Sequence, residues 1–237
     1  MKDGIQLYCG DCLEVMKQIP DGSVDMVLCD LPYGTTACKW DVVIPLDKLW
    51  QEYNRVLTAS GTVLLFGSEP FSSLLRTSNM SAYKYDWIWQ KNRPTGFQHA
   101  RNMPLKEHET ISVFSKGAMG HINLLGDKRM TYNPQGISVC GKEWKMSSSK
   151  FGNIVGKRKG HKERGIQEFT GYPTSILSFK KEETNYHPTQ KPVALMEYLI
   201  RTYTNEGELV MDNCMGSGTT GVACVNTNRK FIGIEKD

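Results

Sequence analysis

Leu209-Val210-Met211-Asp212-Asn213-Cys214-Met215-Gly216-Ser217-Gly218-Thr219 is the stretch whose reading decides the fold. A short apolar run feeds a glycine turn, and Thr219 to Val225 beyond it reads as a helix. Glycines at such a turn permit tight turning and close backbone approach to a ligand. A second apolar run, Phe231 to Ile234, ends in Glu235, 17 positions after Gly218. A carboxylate at the end of a neighbouring strand can accept hydrogen bonds from both hydroxyls of a ribose, so turn and acid together describe a nucleoside-cofactor site. Gly216, Gly218 and Gly221 also satisfy the spacing of a dinucleotide-binding turn. Asp212 argues against a pyrophosphate at that place, and suits a cofactor that carries an ammonium or sulfonium group.

Outward from this turn the chain keeps alternating. Ile5 to Cys9 is a candidate strand, and Asp11 after it can cap a helix whose apolar stripe is Leu13, Met16 and Ile19. Val24 to Cys29 is almost wholly apolar, as a strand buried on both faces of a parallel sheet must be. Leu46, Leu49, Trp50, Tyr53, Val56 and Leu57 follow a helical period, with Gly61 as its expected stop. Thr62 to Phe66, Tyr85 to Trp89 and Thr110 to Phe114 read as strands, with a helix opening at Pro70. A further helix begins at Pro192 and places Leu195, Met196, Leu199, Ile200 and Tyr203 on one face. Strands alternating with helices predict an α/β fold with an open, mostly parallel sheet. Between Lys116 and about Lys181 the pattern fades into a stretch rich in Gly, Ser, Lys and Asn, which predicts an insertion. The expected organisation is a main domain of residues 1–116 and 186–237, interrupted by an insertion at 117–185.

The net charge of +4 is modest, but its distribution is uneven. Eight basic residues between Gly141 and Gly165 face only Glu143 and Glu163, a local net of +6 that leaves the rest of the chain at −2. Such a segment suits a polyanion surface, and Lys142, Lys145, Lys157, Arg158 and Lys159 are its candidate phosphate contacts. Trp144 among them could stack on a base or fill a small local core, and the core is the favoured reading. Arg93, in the loop after the strand around Trp89, is a further candidate for contact with such a polyanion. Seven scattered cysteines argue against a disulfide scaffold, and the single Cys9-x-x-Cys12 pair has no partner pair, so no metal site is expected. No apolar run approaches the roughly 18 residues of a membrane span, and Met1 to Gly4 opens no secretory signal; a cytoplasmic protein is expected.

Asp30-Leu31-Pro32-Tyr33 is the second motif that carries chemistry. It follows the buried strand Val24 to Cys29, at the edge where open α/β sheets bind ligands. A carboxylate and a backbone carbonyl held rigid by proline can both accept hydrogen bonds from an exocyclic amino group. A tyrosine offers a face on which a base can stack. A plain strand-ending turn would also use Pro-Tyr-Gly.

Both motifs resemble those of the amino-methyltransferases that modify adenine N6 or cytosine N4 in DNA. Asp30-Leu31-Pro32-Tyr33 resembles the catalytic D-P-P-Y motif, with Leu31 in place of the first proline. Cys214-Met215-Gly216-Ser217-Gly218 resembles the F-x-G-x-G cofactor motif, with Cys214 in place of the aromatic residue. His187-Pro188-Thr189-Gln190-Lys191-Pro192 matches a segment that the family places before that motif. Because the catalytic motif comes first, the order resembles the β group, whose Rossmann-like fold is circularly permuted. The chain would then begin at the fold's third strand and end at its second. The family usually follows this last acidic strand with a helix, whereas the sequence ends at Asp237.

The resemblance implies S-adenosylmethionine as cofactor and double-stranded DNA as substrate. Asp30, Leu31, Pro32 and Tyr33 would act on a flipped-out base. Asp11, Asp30, Lys191, Asp212, Cys214, Met215, Gly216, Ser217, Gly218, Thr219 and Glu235 would line the cofactor site, and 117–185 would recognise the target. Relatives that modify cytosine more often carry serine where Asp30 stands, so adenine N6 is the expected target. Cytosine N4, a non-catalytic homologue and a dehydrogenase are the competing readings. No membrane partner is implied; a homodimer is compatible with the sequence, which does not determine whether a restriction partner exists.

Overall fold

The computed structural model describes residues 4–36, 38–39, 41–120, 125–145, 164–180 and 190–236. They form two compact units, one of Met1–Asn133 with Ser175–Asp237 and one of Pro134–Thr174. The first unit is built on an eight-stranded sheet. Its strands are β1 (Ile5–Cys9), β2 (Val24–Cys29), β3 (Leu57–Gly67), β4 (Tyr83–Thr95), β5 (Lys106–Ser115), β8 (Ile176–Ser178), β9 (Leu209–Asp212) and β10 (Lys230–Glu235). The spatial order is β1-β10-β9-β2-β3-β5-β4-β8. The first five of these run parallel, and β5 is antiparallel to both of its neighbours.

The apolar run of β2 resolves into two faces because successive strand side chains point to opposite sides. Val27 and Cys29 join one core with Val63, Leu65 and Met211, covered by α1 (Cys12–Met16), α2 (Leu46–Val56) and α3 (Phe71–Ser78). Met26 and Leu28 join the other with Leu64, Phe66 and Val210, covered by α4 (Val193–Tyr203) and α5 (Thr219–Asn226). Tyr53 of α2 and Leu195, Leu199 and Ile200 of α4 are fully buried, as their helical spacing predicts. A fully buried leucine or isoleucine contributes roughly 1.5–3 kcal/mol relative to the exposed state, so these two stripes dominate the attachment of their helices. Among the described residues no helix is long and apolar enough to cross a membrane. All seven cysteines are free thiols.

Gly61 does not stop α2. The helix ends at Val56, where Leu57 turns extended, and the chain enters β3 directly. Gly61 lies inside that strand, where the register jumps from Val24↔Leu57 to Met26↔Thr62. A Cβ there would come within 2.9 Å of the Leu57 side chain and 3.1 Å of the Thr58 carbonyl, so close backbone approach is what requires glycine.

Parts of the stretch expected as an insertion lie in the first unit. Met130 is buried in the core with β4 and β5, the Asn133 N–H donates to the Thr202 carbonyl at 2.7 Å, and β8 pairs with β4. Among its described residues the second unit carries one antiparallel pair, β6 (Ser138–Lys145) with β7 (Arg164–Thr170). Trp144 is not enclosed as expected: it is 41% exposed and lies over Gly165, with Val139 and Ile166 also exposed. A two-stranded ribbon has too few side chains to enclose an indole.

Candidate functional site

Parallel strands bring their carboxyl ends to one edge of the sheet. Asp30 after β2, Asp212 ending β9, Glu235 ending β10 and Gly10-Asp11 after β1 therefore share that edge. Since β5 runs the other way, its first half reaches the same edge, with Thr110 beside Gly67 of β3 and Glu109 beside Trp89 of β4.

Asp30 is held on both oxygens. The Tyr33 hydroxyl donates to Oδ1 at 2.6 Å, and the Lys191 ammonium pairs with Oδ2. The Tyr33 ring stacks on Phe71 with centroids 4.9 Å apart. Burial, reinforced by the charge of Asp30, pushes the Tyr33 phenol well above its ordinary range, so it stays a donor. Leu31 is buried and anchors the turn. Immediately beyond, the N–H groups of Gly34, Thr35 and Thr36 donate to the Asp41 carboxylate at 2.8, 2.9 and 2.7 Å. Burial alone would push the Asp41 carboxyl up, but the Thr36 side chain and these amides outweigh it and hold the carboxyl below its ordinary range.

Lys191 is buried beneath this turn, 5.0 Å from the centre of the Phe66 ring. Its ammonium lies 3.4 Å from Oε2 of Glu109, whose other oxygen pairs with Lys91 at 2.5 Å. Burial alone would discharge the amine. Asp30 and Glu109 outweigh burial and raise its affinity for the proton above the ordinary lysine range. Burial likewise favours neutral Glu109, and Lys191 and Lys91 outweigh it, so the carboxyl is held below its ordinary range. Four charges of balanced sign thus sit together beside the turn that follows β2.

The glycine turn after β9 is pinned from beneath. Asp212 is buried and points inward: Oδ2 accepts from the Thr220 hydroxyl at 2.5 Å and Oδ1 from the Cys214 N–H at 3.1 Å. Burial pushes its carboxyl up to about 6. The Tyr53 hydroxyl donates at 2.6 Å to Oδ1 of buried Asn213. Cys214 packs against the core that contains Cys12 and Cys29. The Met215 N–H donates to the Ile234 carbonyl at 3.0 Å, and the Gly216 N–H to Oε2 of Glu235 at 2.6 Å. Gly216 and Gly218 have φ of +49° and +79°, and a Cβ on either would meet nothing within 4 Å. The backbone conformation, not crowding, demands glycine, and the space over the turn stays open. Ser217 and Thr219 share a hydroxyl contact at 3.3 Å at the start of α5. Asp11 caps α1, accepting from the Leu13 N–H at 3.0 Å, and its other oxygen lies 3.7 Å from the Lys236 ammonium.

The structure therefore joins Asp30 to Lys191 and Glu235 to the glycine turn, and it commits both oxygens of Asp212 internally. Arg93 is exposed near the end of β4, and Lys142 and Lys145 are exposed on β6. Lys157, Arg158 and Lys159 lie outside the described residues, as do His187, Pro188 and Thr189. Asp41, Lys91 and Glu109 are additions that sequence reasoning missed. The signal for Glu109 and Lys91 was parity: each continues the inward-facing side of an alternating strand, beside Ile111 and Trp89, where an apolar residue belongs.

Residues 24–237 match a family model described as DNA methylase. The chain is similar to the type II methyltransferase M.HpaI of Haemophilus parainfluenzae, with 27% identity covering 97% of this chain and 69% of that protein. It is similar to the DNA adenine methyltransferase YhdJ of Escherichia coli K12, with 30% identity over 95% of this chain and 76% of that one. Among solved structures, the complex of M1.HpyAVI with SAM superposes with a TM-score of 0.62 at 26% identity, covering 98% of this chain and 94% of that one. The cytosine-N4-specific PvuII methyltransferase superposes with a TM-score of 0.69 at 16% identity, covering 99% and 83%, a likeness of fold.

Proposed function

Because the chain belongs to the DNA methylase family of N6/N4 amino-methyltransferases, we propose that it methylates adenine N6 in double-stranded DNA, with Asp30 and the Leu31 carbonyl as the acceptors that orient the amino group. The observation that carries this reading is the Asp30 carboxylate held at the sheet edge by Tyr33 and Lys191. An aspartate here, where cytosine-modifying relatives more often have serine, favours adenine, as does the likeness to a relative named an adenine methyltransferase.

The residues at the edge fit S-adenosylmethionine. The open glycine turn gives a nucleoside room, Glu235 and Asp11 offer carboxylates to a ribose and its base, and the buried Lys191 ammonium suits a carboxylate. When bound, the cofactor supplies an electrophilic methyl group to the amino nitrogen.

The chain's own residues do the rest. A base inside a duplex cannot reach the cleft, so the target must leave the stack, and Tyr33, backed by Phe71, offers it a ring. The amino hydrogens are bonded by Asp30 and by the carbonyl that Pro32 holds rigid, which turns the nitrogen lone pair outward. Positioning of this kind lowers a barrier without any change in the chemistry. Asp30 is also the nearest base to take the proton that the methylated nitrogen sheds. Residues 117–185, through Lys142, Lys145, Lys157, Arg158 and Lys159, and Arg93 of the main unit, would neutralise phosphates. The sheet order supports a permuted arrangement, since the first strand lies beside the last.

Nucleoside mass spectrometry of mixed-sequence DNA, incubated with the protein and methyl-labelled S-adenosylmethionine, tests the reading. Label is expected in N6-methyldeoxyadenosine. Label in N4-methyldeoxycytidine keeps the chemistry and overturns the base, and no label in any nucleoside overturns catalysis.

A further inference from the structure

Both oxygens of Asp30 already carry a donor, Tyr33 on Oδ1 and Lys191 on Oδ2. An incoming amino group needs one of them. Tyr33 is only three residues away on the same rigid turn, so Lys191 is the donor that can leave. A buried ammonium cannot withdraw into apolar surroundings; it needs another anion. That anion is in place. Oε2 of Glu109 is buried, makes no hydrogen bond in this structure and lies 3.4 Å from the Lys191 nitrogen. The other Glu109 oxygen is tied to Lys91, itself set over the Trp89 ring, which aims the free oxygen at Lys191.

We propose that Glu109 is a positioning residue that receives the Lys191 ammonium when Asp30 turns to the target amino group. The inference rests on the reading of Asp30 as the acceptor for that group. Two anions and two cations make up the network, so its net charge is unchanged wherever the ammonium stands. An ammonium has three N–H donors, so Lys191 on Glu109 keeps donors free for a cofactor carboxylate. Lys91 matters only through Glu109, by keeping that carboxylate ionised and fixed.

The test compares wild type with Glu109→Gln, Glu109→Asp and the double variant Lys91→Met/Glu109→Gln. The first readout is single-turnover methylation at saturating DNA and S-adenosylmethionine. The second is the side-chain 15N resonance of Lys191, assigned by its loss in Lys191→Met, with S-adenosylhomocysteine and the same DNA added as probes. Glu109→Gln keeps the shape and removes the charge, and is expected to slow single turnover about tenfold to a hundredfold. The Lys191 resonance moves on adding the probes to wild type and stays put in Glu109→Gln. Glu109→Asp, with the charge drawn back by one carbon, falls between the two on both readouts. It carries the test by itself if Glu109→Gln does not fold.

If Glu109 only neutralised Lys91, removing both charges would restore the wild-type rate. The inference expects Lys91→Met/Glu109→Gln to remain slow, and recovery there overturns it. A Glu109→Gln rate within threefold of wild type, with the resonance still moving, overturns it too. Asp30→Ala separates the two readings. Its activity at wild-type level would defeat the assignment of the site, whereas an inactive Asp30→Ala beside a fast Glu109→Gln defeats the inference alone.

Discussion

Asp212 makes this fold less stable as its carboxyl ionises. The side chain is buried, and burial pushes its carboxyl up from an ordinary 3.8 to about 6, against the bonds from Thr220 and Cys214 that favour the ionised form. One unit corresponds to about 1.4 kcal/mol, so the shift is worth about 3 kcal/mol. The folded state holds this proton more tightly than the unfolded chain does. The stabilisation is therefore complete below about pH 4, is lost progressively as pH rises, and is gone above about pH 6. In Asp212→Asn nothing titrates, but the amide offers one acceptor where two donors wait, a pH-independent cost of about 2 kcal/mol. Urea unfolding of both proteins between pH 4 and 7.5, followed by tryptophan fluorescence, reads the difference directly and cancels other titrating groups. Wild type should lead by about 2 kcal/mol at pH 4 and trail by about 1 kcal/mol at pH 7. A difference that stays flat with pH, or one that grows in favour of wild type as pH rises, would refute an inward, desolvated Asp212.

Two further outcomes bear on the proposed function. Asp30→Ala should lower methyl transfer by on the order of 10²–10³-fold, while S-adenosylhomocysteine binding stays measurable by calorimetry; equal loss of both would undermine its place at the target amino group. Lys142→Ala/Lys145→Ala should weaken DNA binding evenly across sequences and reduce the slope of log affinity against log salt by about 2, so an unchanged slope removes both from the phosphate contacts.

Much of the fold was written in local pattern. The uninterrupted apolar run Val24–Cys29, the stripes of α2 and α4, and the strand–glycine–helix order at β9 each follow from the period of one element, which a chain carries without reference to its partners. Positions of the acids at strand ends followed too, because parallel strands share an edge. Asp30 and Lys191 were legible as separate motifs, but their pairing joins residues 161 positions apart and depends on how α4 seats against the sheet. Gly61 read as a helix stop because glycine's effect on a helix is local, whereas its use in β3 depends on what packs against it. Trp144 read as core because aromatic residues usually find one, and only the structure shows it part-exposed on a two-stranded ribbon. The inward turn of Asp212, the Asp41 anchor and the Glu109–Lys91 pair were beyond sequence reading for one physical reason. A charge is tolerated in a buried place only by the partners that tertiary structure brings to it, and those partners arrive from other strands and loops.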